Sequence, residues 1–443
     1  RCLVGSEMCI RDRMKSDQTH IRKHHMEQLY HTTQLIGIKD KNITLNKVLK
    51  HKTHIEMIAT LDYAPGNCNH CQGKQIKYDF QKPSKIPFLE VAGFPSLIRL
   101  KKRRFQCKNC RKVTVSETSL VQKNCQISEP LRQKVAQALV NRQALTHIAQ
   151  DLAISTSTVH RKLKEFTFKE DFSRLPEILS IDEFSYQKGK LAFIAQDFET
   201  KKIITILENR TQITIRNHFF RYSKEARNSV KVVTVDMSGS YIPMIPKLFP
   251  KAKIVIDRFH IVQHMSRALN HTRIQLMTQF DKKSLEYRAL KYYWKSVLKD
   301  SRKLSLNSFR SRTFGETLTP KECLTEIFHL VPELKGYYDL YQLLLFHLQE
   351  KNADYFFDLI EEALPHLNQT FKTALRTILH HKQHVINAIE LPYSNAKLEA
   401  TNKLIKDIKR NAFGFRNFDN FKKRIFIALN MQKEKTHFVS SRA

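Results

Sequence analysis

The chain lacks long hydrophobic stretches and is poor in acidic residues for its length. Its 443 residues contain no apolar run of about 18 residues and no lipidation motif, which argues against a membrane protein. Aspartate and glutamate number 42 against 76 lysines and arginines, so the formal net charge is +34. This excess favours a polyanionic partner, with nucleic acid ahead of a membrane surface. A generally cationic protein without such a partner is the alternative.

The cysteines do not form a pattern typical of disulfide-linked secreted proteins, and no secretory signal is apparent. Four of the eight form two C-x-x-C pairs, Cys68 with Cys71 and Cys107 with Cys110, separated by a predicted loop at residues 72–95. Four thiolates close a tetrahedral site and leave no open position for chemistry. The pattern predicts one structural Zn²⁺ in a zinc ribbon of a cytoplasmic protein, and unpaired or redox-active thiols are the alternative.

The first residues differ in character from the rest. Residues 1–13 resemble translated sequencing-adapter sequence, so we expect the native chain to begin at Met14. A short tail without consequence for the fold is the alternative. The remaining chain is expected to contain three regions, which are an N-terminal region with the zinc ribbon (14–125), a helical DNA-binding domain (126–170) and an α/β catalytic domain (175–432) with a helical insertion at about 264–390.

Residues 145–163 have the periodicity of two short helices joined by a turn. Ile148 and Ala149 give the first helix a buried face, and Val159 and Leu163 do so for the second. The outer face of the second helix carries side chains that can contact DNA, namely Thr156, Ser157, His160, Arg161 and Lys164. The segment predicts a helix-turn-helix, and a plain helical hairpin is the alternative.

Three acidic residues lie in apolar or basic surroundings. Asp182 interrupts an apolar run, Asp236 ends a strand-like run, and Glu399 lies in the first turns of a basic helix. Carboxylates among apolar residues are costly unless they bind a cation or are otherwise paired. In a chain this basic, the three predict a divalent-metal site that acts on phosphodiesters.

The order of the predicted strands brings two of these carboxylates together. The predicted elements are three consecutive antiparallel strands (178–186, 190–197, 202–208), a helix near 212–222, and strands at 230–236 and 252–256. This order is typical of a ribonuclease H-like sheet, in which the fourth strand pairs beside the first. Asp182 and Asp236 would then lie about 5 Å apart. That spacing suits two metal ions held roughly 4 Å apart.

Other carboxylates compete for these roles. Asp257 ends the fifth strand, one strand beyond Asp236 and roughly 10 Å from Asp182, so Asp236 is the preferred second ligand. Glu183 follows Asp182 and must face the other side of the sheet. Asp197 ends the second strand, where the role of a turn residue is favoured.

The helix around Glu399 is expected to combine catalysis with DNA contact. The residues predicted to pack on the sheet are Leu398, Thr401, Ile405 and Ile408. The residues predicted to share the other face are Glu399, Lys403, Lys406 and Arg410. The carboxylate would reach the metals while the cations hold the phosphate backbone. A solvated charged face with an ordinary Glu–Lys pair is the alternative.

In this combination the chain resembles the DDE transposases of bacterial insertion sequences, of the group often called ISL-three. The matching strings are Cys68 to Cys71, Arg103 to Cys107, Ile181 to Phe184, Val235 to Asp236, Asp257 to His260, and Glu399 to Phe415. The resemblance covers roughly residues 50–432. It implies Asp182, Asp236 and Glu399 as the catalytic triad, holding two Mg²⁺ or Mn²⁺ ions. Asp257 and His260 resemble a signature of related transposases, with an expected structural role.

The fold implied is multidomain α+β, with a zinc ribbon, a helix-turn-helix and a ribonuclease H-like domain in that order. The activity implied is cleavage and strand transfer of double-stranded DNA, with terminal inverted repeats and target DNA as partners. A homo-oligomeric complex and a nucleoid-associated location follow from the same resemblance. Two alternatives stay open, a non-catalytic DNA-binding regulator derived from a transposase and a ribonuclease H-like structure-specific nuclease.

Overall fold

The computed structural model describes residues 33–237 and 239–431, so residues 1–13 and Met14 lie outside the described part of the chain. The chain divides into two compact units. One unit contains the residues up to 168 together with those from 407 onward, and the other contains residues 169–406. Among the described helices, none combines the length and the apolar character that a bilayer crossing requires.

The first unit contains a six-stranded sheet built around one long strand. The strands are β1 (Ile43–Lys50), β2 (Ile55–Leu61), β3 (Gln75–Phe80), β4 (Ser84–Val91), β5 (Phe94–Cys107) and β6 (Val113–Val115). β5 pairs in parallel with β2 and antiparallel with β3, β4 and β6, while β1 flanks β2. Buried residues at every second position, such as Ile98 and Leu100, pack against Met57, Ile86 and Leu45 in one core.

The predicted loop at residues 72–95 is wrong, because the segment contains β3 and β4. The prolines and glycines of this segment are typical of irregular chain. However, Pro87 lies in β4, which pairs only with β5 in the described sheet, so the missing N–H faces an unpaired edge. Gly93 has φ +78° and forms the tight turn between β4 and β5.

The described part of the first unit also contains four longer helices. They are α1 (Glu129–Val140), α2 (Leu145–Asp151), α3 (Thr156–Glu165) and α16 (Phe418–Asn430). The predicted apolar positions of α2 and α3 are buried together with Leu139 and Ile427, so α16 packs on the same core. The side chain of Ser155 accepts a hydrogen bond from the N–H of Thr158 and caps α3.

A buried arginine joins α16 to the end of α1. Arg424 is 2% exposed, and its guanidinium donates to the carbonyl oxygens of Leu139, Asn141 and Gln143. Burial lowers its pKa to about 10. Lys423 donates to the carbonyl oxygen of Lys164 at 3.0 Å, at the last turn of α3. The C-terminal helix therefore stabilises the helical segment 129–165.

The second unit contains a five-stranded sheet. Its elements are β7 (Ile178–Gln187), β8 (Lys190–Asp197), β9 (Ile203–Leu207), α4 (Gln212–Phe219), α5 (Lys224–Asn228), β10 (Val232–Val235), α6 (Ile245–Leu248) and β11 (Lys253–Ile256). The strand order is β11-β10-β7-β8-β9. β7, β8 and β9 form the predicted antiparallel meander, and β10 pairs in parallel with β7 and β11. The predicted pairing of the fourth strand of this unit with the first is therefore confirmed.

The rest of the second unit is almost entirely helical. The helices are α7 (Arg258–Met277), α8 (Leu285–Tyr292), α9 (Trp294–Leu298), α10 (Pro320–Leu330), α11 (Pro332–Gln349), α12 (Ala353–Ala363), α13 (Gln369–His380), α14 (Lys382–Glu390) and α15 (Ala396–Asn411). Two short 3-10 helices (Ser301–Lys303, Leu364–His366) and a two-stranded hairpin of β12 (Phe309–Arg310) and β13 (Thr317–Leu318) interrupt them. α14 packs on β11, where the side chain of Asn387 donates to the carbonyl oxygen of Ile254 at 2.8 Å.

Helix α15 has the two faces that its sequence predicts. Leu398, Thr401, Ile405 and Ile408 are all buried, and Lys403, Lys406 and Arg410 are exposed. The boundary between the two units falls within this helix, after Lys406.

Candidate functional site

Four cysteines converge where β5 ends. The sulfur atoms of Cys68, Cys71, Cys107 and Cys110 all lie within 4.8 Å of one another. The Sγ atoms of Cys68 and Cys110 are 3.7 Å apart, and those of Cys71 and Cys107 are 3.5 Å apart. Four thiolates at about 2.3 Å from one tetrahedral zinc would be roughly 3.8 Å apart. The cluster therefore fits a structural Zn²⁺.

The two cysteine turns have the same backbone geometry. In the first, the N–H of Cys68 donates to the carbonyl of Gly73 at 2.9 Å. In the second, the N–H of Cys107 donates to the carbonyl of Lys112 at 3.0 Å. Gln72 and Arg111, which follow the second cysteine of each pair, have φ of 56° and 57°. Each pair thus lies in a closed turn of the same form, which explains why a two-residue spacer suffices.

These turns direct backbone N–H groups at the sulfur atoms. The N–H groups of Cys110 and Asn109 lower the pKa of the Cys107 thiol to about 6. The N–H groups of His70 and Cys71 lower the pKa of the Cys68 thiol in the same way. Hydrogen bonds to the charged form favour thiolate, which is the form that binds metal.

Three aspartates lie at the same level of neighbouring strands in the second sheet, with Asp182 inside β7 and with Asp236 and Asp257 directly after β10 and β11. The register pairs Thr234 with Ser180 in β7 and Val235 with Ile256 in β11. Continued by one or two residues, this register places Asp236 beside Asp182 on one side and beside Asp257 on the other. Adjacent strands are about 4.8 Å apart, so the three carboxylates form a row at the carboxyl edge of β10.

Helix α15 brings a fourth carboxylate to this row. Ligand atoms of Asp257, His260 and Glu399 lie within 4.8 Å of one another. His260 lies in the first turn of α7, three residues after Asp257. The charges of Asp236, Glu183 and His260 all act on Asp182. The structure therefore groups Glu399 with the two secondary candidates, Asp257 and His260, while Asp182 and Asp236 lie on the neighbouring strands.

The electrostatics of this neighbourhood call for a cation. Burial, with the charges of Asp236 and Glu183, raises the pKa of Asp182 to about 6, against the effect of the Glu183 N–H, which donates to Asp182 at 2.7 Å. A bound cation would favour the ionised form of Asp182. Carboxylate oxygens with one imidazole form a donor set that suits Mg²⁺ or Mn²⁺.

Sequence reasoning missed two asparagines that fasten α15 to the strands. Asn402 donates from Nδ2 to Asp182 Oδ2 at 2.8 Å, while its own Oδ1 is buried without a partner in the described part of the chain. Asn395 donates from Nδ2 to the carbonyl of Ile181 and accepts from Thr234 Oγ1 at 3.1 Å. The sequence signal that could have revealed them is a pair of polar residues seven positions apart, one directly before α15 and one on its apolar face.

Glu183 forms an ion pair beside the carboxylate row. Its carboxylate accepts from Arg210 Nη1 at 2.8 and 2.6 Å and from the Tyr241 hydroxyl at 3.0 Å. Burial, with the charge of Glu183, raises the pKa of Tyr241, so this hydroxyl stays a donor. The carboxylate of Glu183 therefore has hydrogen-bond donors of its own in Arg210 and Tyr241.

Most of the residues predicted to contact DNA on the outer face of α3 are exposed. Thr156, Ser157, Arg161 and Lys164 are exposed. His160 is half-buried, and its Nε2 lies 3.1 Å from Asn420 Nδ2 of α16. The structure thus ties the imidazole of His160 to the C-terminal helix.

Comparisons with known proteins cover both regions. Residues 179–425, more than half of the chain, match the ISL3 family of DDE proteins, described as "Transposase". Residues 64–110 match a family described as "zinc-finger of transposase IS204/IS1001/IS1096/IS1165". The four clustered cysteines lie within the second match, and the carboxylate row with Glu399 lies within the first.

Two relatives illustrate these matches. The chain is 23% identical over 359 residues to a protein of Bordetella parapertussis described as the transposase for insertion sequence element IS1001, covering 80% of this chain and 86% of that protein. It is 37% identical over 110 residues to a protein of Lactococcus lactis subsp. lactis described as an ATP-dependent protease. The second likeness covers 25% of this chain and 35% of that protein, so it carries no argument about activity.

Proposed function

The chain belongs to the ISL3 family of DDE transposases, and we propose that it binds the terminal inverted repeats of an insertion sequence and catalyses metal-dependent cleavage and transfer of DNA strands. The proposal is supported by the grouping of Glu399 with Asp257 and His260, next to the strands that carry Asp182 and Asp236. The strand order supports a ribonuclease H-like core, and helices α1 to α3 support a helix-turn-helix.

In this proposal Asp182, Asp236 and Glu399 hold two Mg²⁺ or Mn²⁺ ions. The ions would supply activation of the attacking oxygen and charge stabilisation at the leaving oxygen. Asn402 keeps the Asp182 carboxylate in one orientation through its Nδ2 hydrogen bond. Water or a 3′-hydroxyl would attack phosphorus without a covalent enzyme intermediate.

Asp257 has a structural role in this proposal, as the sequence predicts. Its carboxylate is 4% exposed and accepts from the backbone N–H of Asn395 at 3.4 Å. This contact fixes the chain immediately before α15, the helix that carries Glu399. Asp257 also precedes α7 without capping it through its side chain. Because Asp257 also lies next to Glu399, it is a candidate metal ligand as well, and an Asp257 variant distinguishes the two roles.

DNA is proposed to contact the exposed faces of two helices, α3 and α15. The exposed residues Thr156, Ser157, Arg161 and Lys164 on α3 would read the terminal repeats, with His160 held in place by Asn420. Lys403, Lys406 and Arg410 on α15 would hold phosphates. The formal net charge of +34 supports a strong electrostatic contribution to binding. Pairing of two element ends would call for a homo-oligomer.

The direct test is strand cleavage by the full-length protein. The substrate is duplex DNA that carries the inverted repeats flanking the coding region, and the controls are a scrambled duplex and a branched duplex. We expect Mg²⁺-dependent nicks at the repeat ends alone. Cleavage of branched DNA regardless of sequence would favour the structure-specific nuclease, and repeat binding without any cleavage would favour the regulator.

Arg161→Ala is expected to weaken binding to the repeats more than binding to random DNA. A base contact carries about 1–3 kcal/mol of discrimination, which is roughly 5–150-fold in affinity. The matched control is Arg312→Ala, which removes another exposed arginine in the loop between β12 and β13. Competition binding on both DNAs measures the effect. Equal weakening on both would assign Arg161 to a phosphate contact.

Asn402→Ala is expected to weaken Mn²⁺ binding about 10–100-fold, because residues that orient metal ligands typically contribute that much. Asp182 Oδ2 would lose the donor that now lies at 2.8 Å. Mn²⁺ titration followed by electron paramagnetic resonance measures the change. Asn307→Ala, at an exposed loop position, is the control. Wild-type Mn²⁺ affinity in Asn402→Ala would leave this asparagine with a packing role alone.

A further inference from the structure

The loop that follows α15 presents one aromatic ring to solvent. Phe413 is 95% exposed, the highest exposure among the large hydrophobic side chains in the described residues. An exposed aromatic of this size does not contribute to folding, since burial of apolar surface is what stabilises. The ring is therefore open to contact with a partner in a complex.

The backbone at Phe413 is also unfavourable for a bulky residue. The N–H of Phe413 donates to the carbonyl of Arg410 at 3.0 Å, and the N–H of Gly414 donates to that of Lys409 at 2.9 Å. This pair of bonds is the Schellman ending of a helix, whose left-handed position normally belongs to glycine. Here Phe413 has φ +53°. A side chain with neither packing nor a favourable backbone at its position is a candidate for a binding role.

The loop is held rigidly on both sides of this ring. Phe415 stacks on Phe421 with ring centroids 4.6 Å apart. Asn417 caps α16 by accepting from the N–H of Asn420 at 2.9 Å. Asn411 donates to the carbonyl of Arg142 at 3.1 Å, after the end of α1. Phe413 therefore projects from a preorganised loop, which lowers the entropy cost of using it.

The surroundings of the ring select nucleic acid as its partner. Arg410 and Arg416 are exposed on either side of Phe413 in the sequence. The loop lines one side of a cavity of about 340 Å³, and Thr156 and His160 of α3 line the other. A second protein copy, equally basic, would be repelled by this cationic surface, whereas a DNA backbone would be attracted.

We propose that Phe413 is an aromatic wedge that stacks against a base of the DNA bound along α3, at or next to the terminal repeat. Phe413 would be the residue that unstacks the duplex, and this role rests on the DNA-binding function proposed above. Aromatic side chains that insert between base steps kink DNA and expose individual nucleotides. The flanking arginines would hold the phosphates on either side of the opened step.

Full-length variants and a fluorescent duplex test the wedge. The duplex carries the terminal repeat with 2-aminopurine at one position at a time, since this base brightens when it is unstacked. We expect wild type to brighten one or two adjacent positions. Phe413→Ala should lose the signal and bind roughly 5–150-fold more weakly, while Phe413→Trp keeps both. The salt dependence of binding should not change, because no charge is removed.

Phe413→Gly separates a binding role from a structural one. Glycine relieves the left-handed backbone, so the thermal midpoint should stay equal or rise while the fluorescence signal is lost. Tyr355→Ala, at an exposed aromatic position of α12, is the matched control and should keep the signal. Unchanged signal and affinity in both Phe413→Ala and Phe413→Gly would overturn the wedge while leaving the proposed function intact. If the Phe413 variants lost self-association but kept the fluorescence signal, the wedge would also be overturned. If the wild-type protein failed to bind repeat DNA, the proposed function itself would be rejected.

Discussion

Asp182→Asn is expected to lower the rate of strand cleavage by about 10²–10⁴-fold, because bound metal supplies several kcal/mol of charge stabilisation and each 1.4 kcal/mol is a factor of ten. The amide keeps the shape of the side chain but cannot offer an anionic ligand. The Asn402 amide donates to Asp182 at 2.8 Å, and the continued register of β7 and β10 places Asp182 beside Asp236. Binding to repeat DNA should stay at the wild-type level, since the proposed recognition surface lies on α3.

Parallel variants identify the second ligand. Asp236→Asn should match Asp182→Asn, whereas Asp257→Asn should retain part of the cleavage if its main role is to hold the N–H of Asn395. Asp339→Asn is the control, as its exposed carboxylate pairs only with Lys335 in the described residues. Nicking assays at saturating Mg²⁺ give the rates. Robust cleavage by Asp236→Asn together with loss in Asp257→Asn would transfer the ligand role to Asp257.

Much of the catalytic sheet could be predicted because its signals are local. The run Val232–Val235 is buried at every position, as a parallel strand covered on both faces must be, which places β10 in the interior of the sheet. Asp182 stood out because a carboxylate in an apolar run needs a compensating charge. The cysteine pairs could also be predicted, because each occupies one closed turn whose geometry depends on a few consecutive residues.

The features that were missed depend on contacts between distant residues. Asn402 donates to Asp182 across 220 positions, and neither residue's neighbours indicate the other. The buried guanidinium of Arg424 reaches carbonyl groups more than 280 positions away, so the packing of α16 on α1 and α3 carried no local signal. His260 and Glu399 meet only because α15 returns to the sheet after the helical segment.

Loss of zinc is expected to unfold the ribbon part of the first sheet while its other part persists. The side of the sheet made by β1, β2, β4 and the first half of β5 has its own buried core. By contrast, the ribbon strands β3 and β6 leave Ile76, Tyr78, Phe80, Val113 and Val115 exposed. A ribbon with so little buried apolar surface depends on its metal, which typically contributes on the order of 10 kcal/mol to folding.

Cys107→Ser tests this dependence, because Cys107 both ends β5 and provides one of the four thiolates. We expect stoichiometric zinc in the wild type and none in the variant by elemental analysis. Hydrogen exchange should then lose protection in residues 67–80 and 103–115 while β1 and β2 keep theirs. Cys125→Ser is the matched control, as Cys125 is exposed and lies outside the cluster. Full zinc with unchanged exchange in Cys107→Ser would remove Cys107 from the ligand set, whereas unfolding of the entire sheet would show that the two parts fold as one.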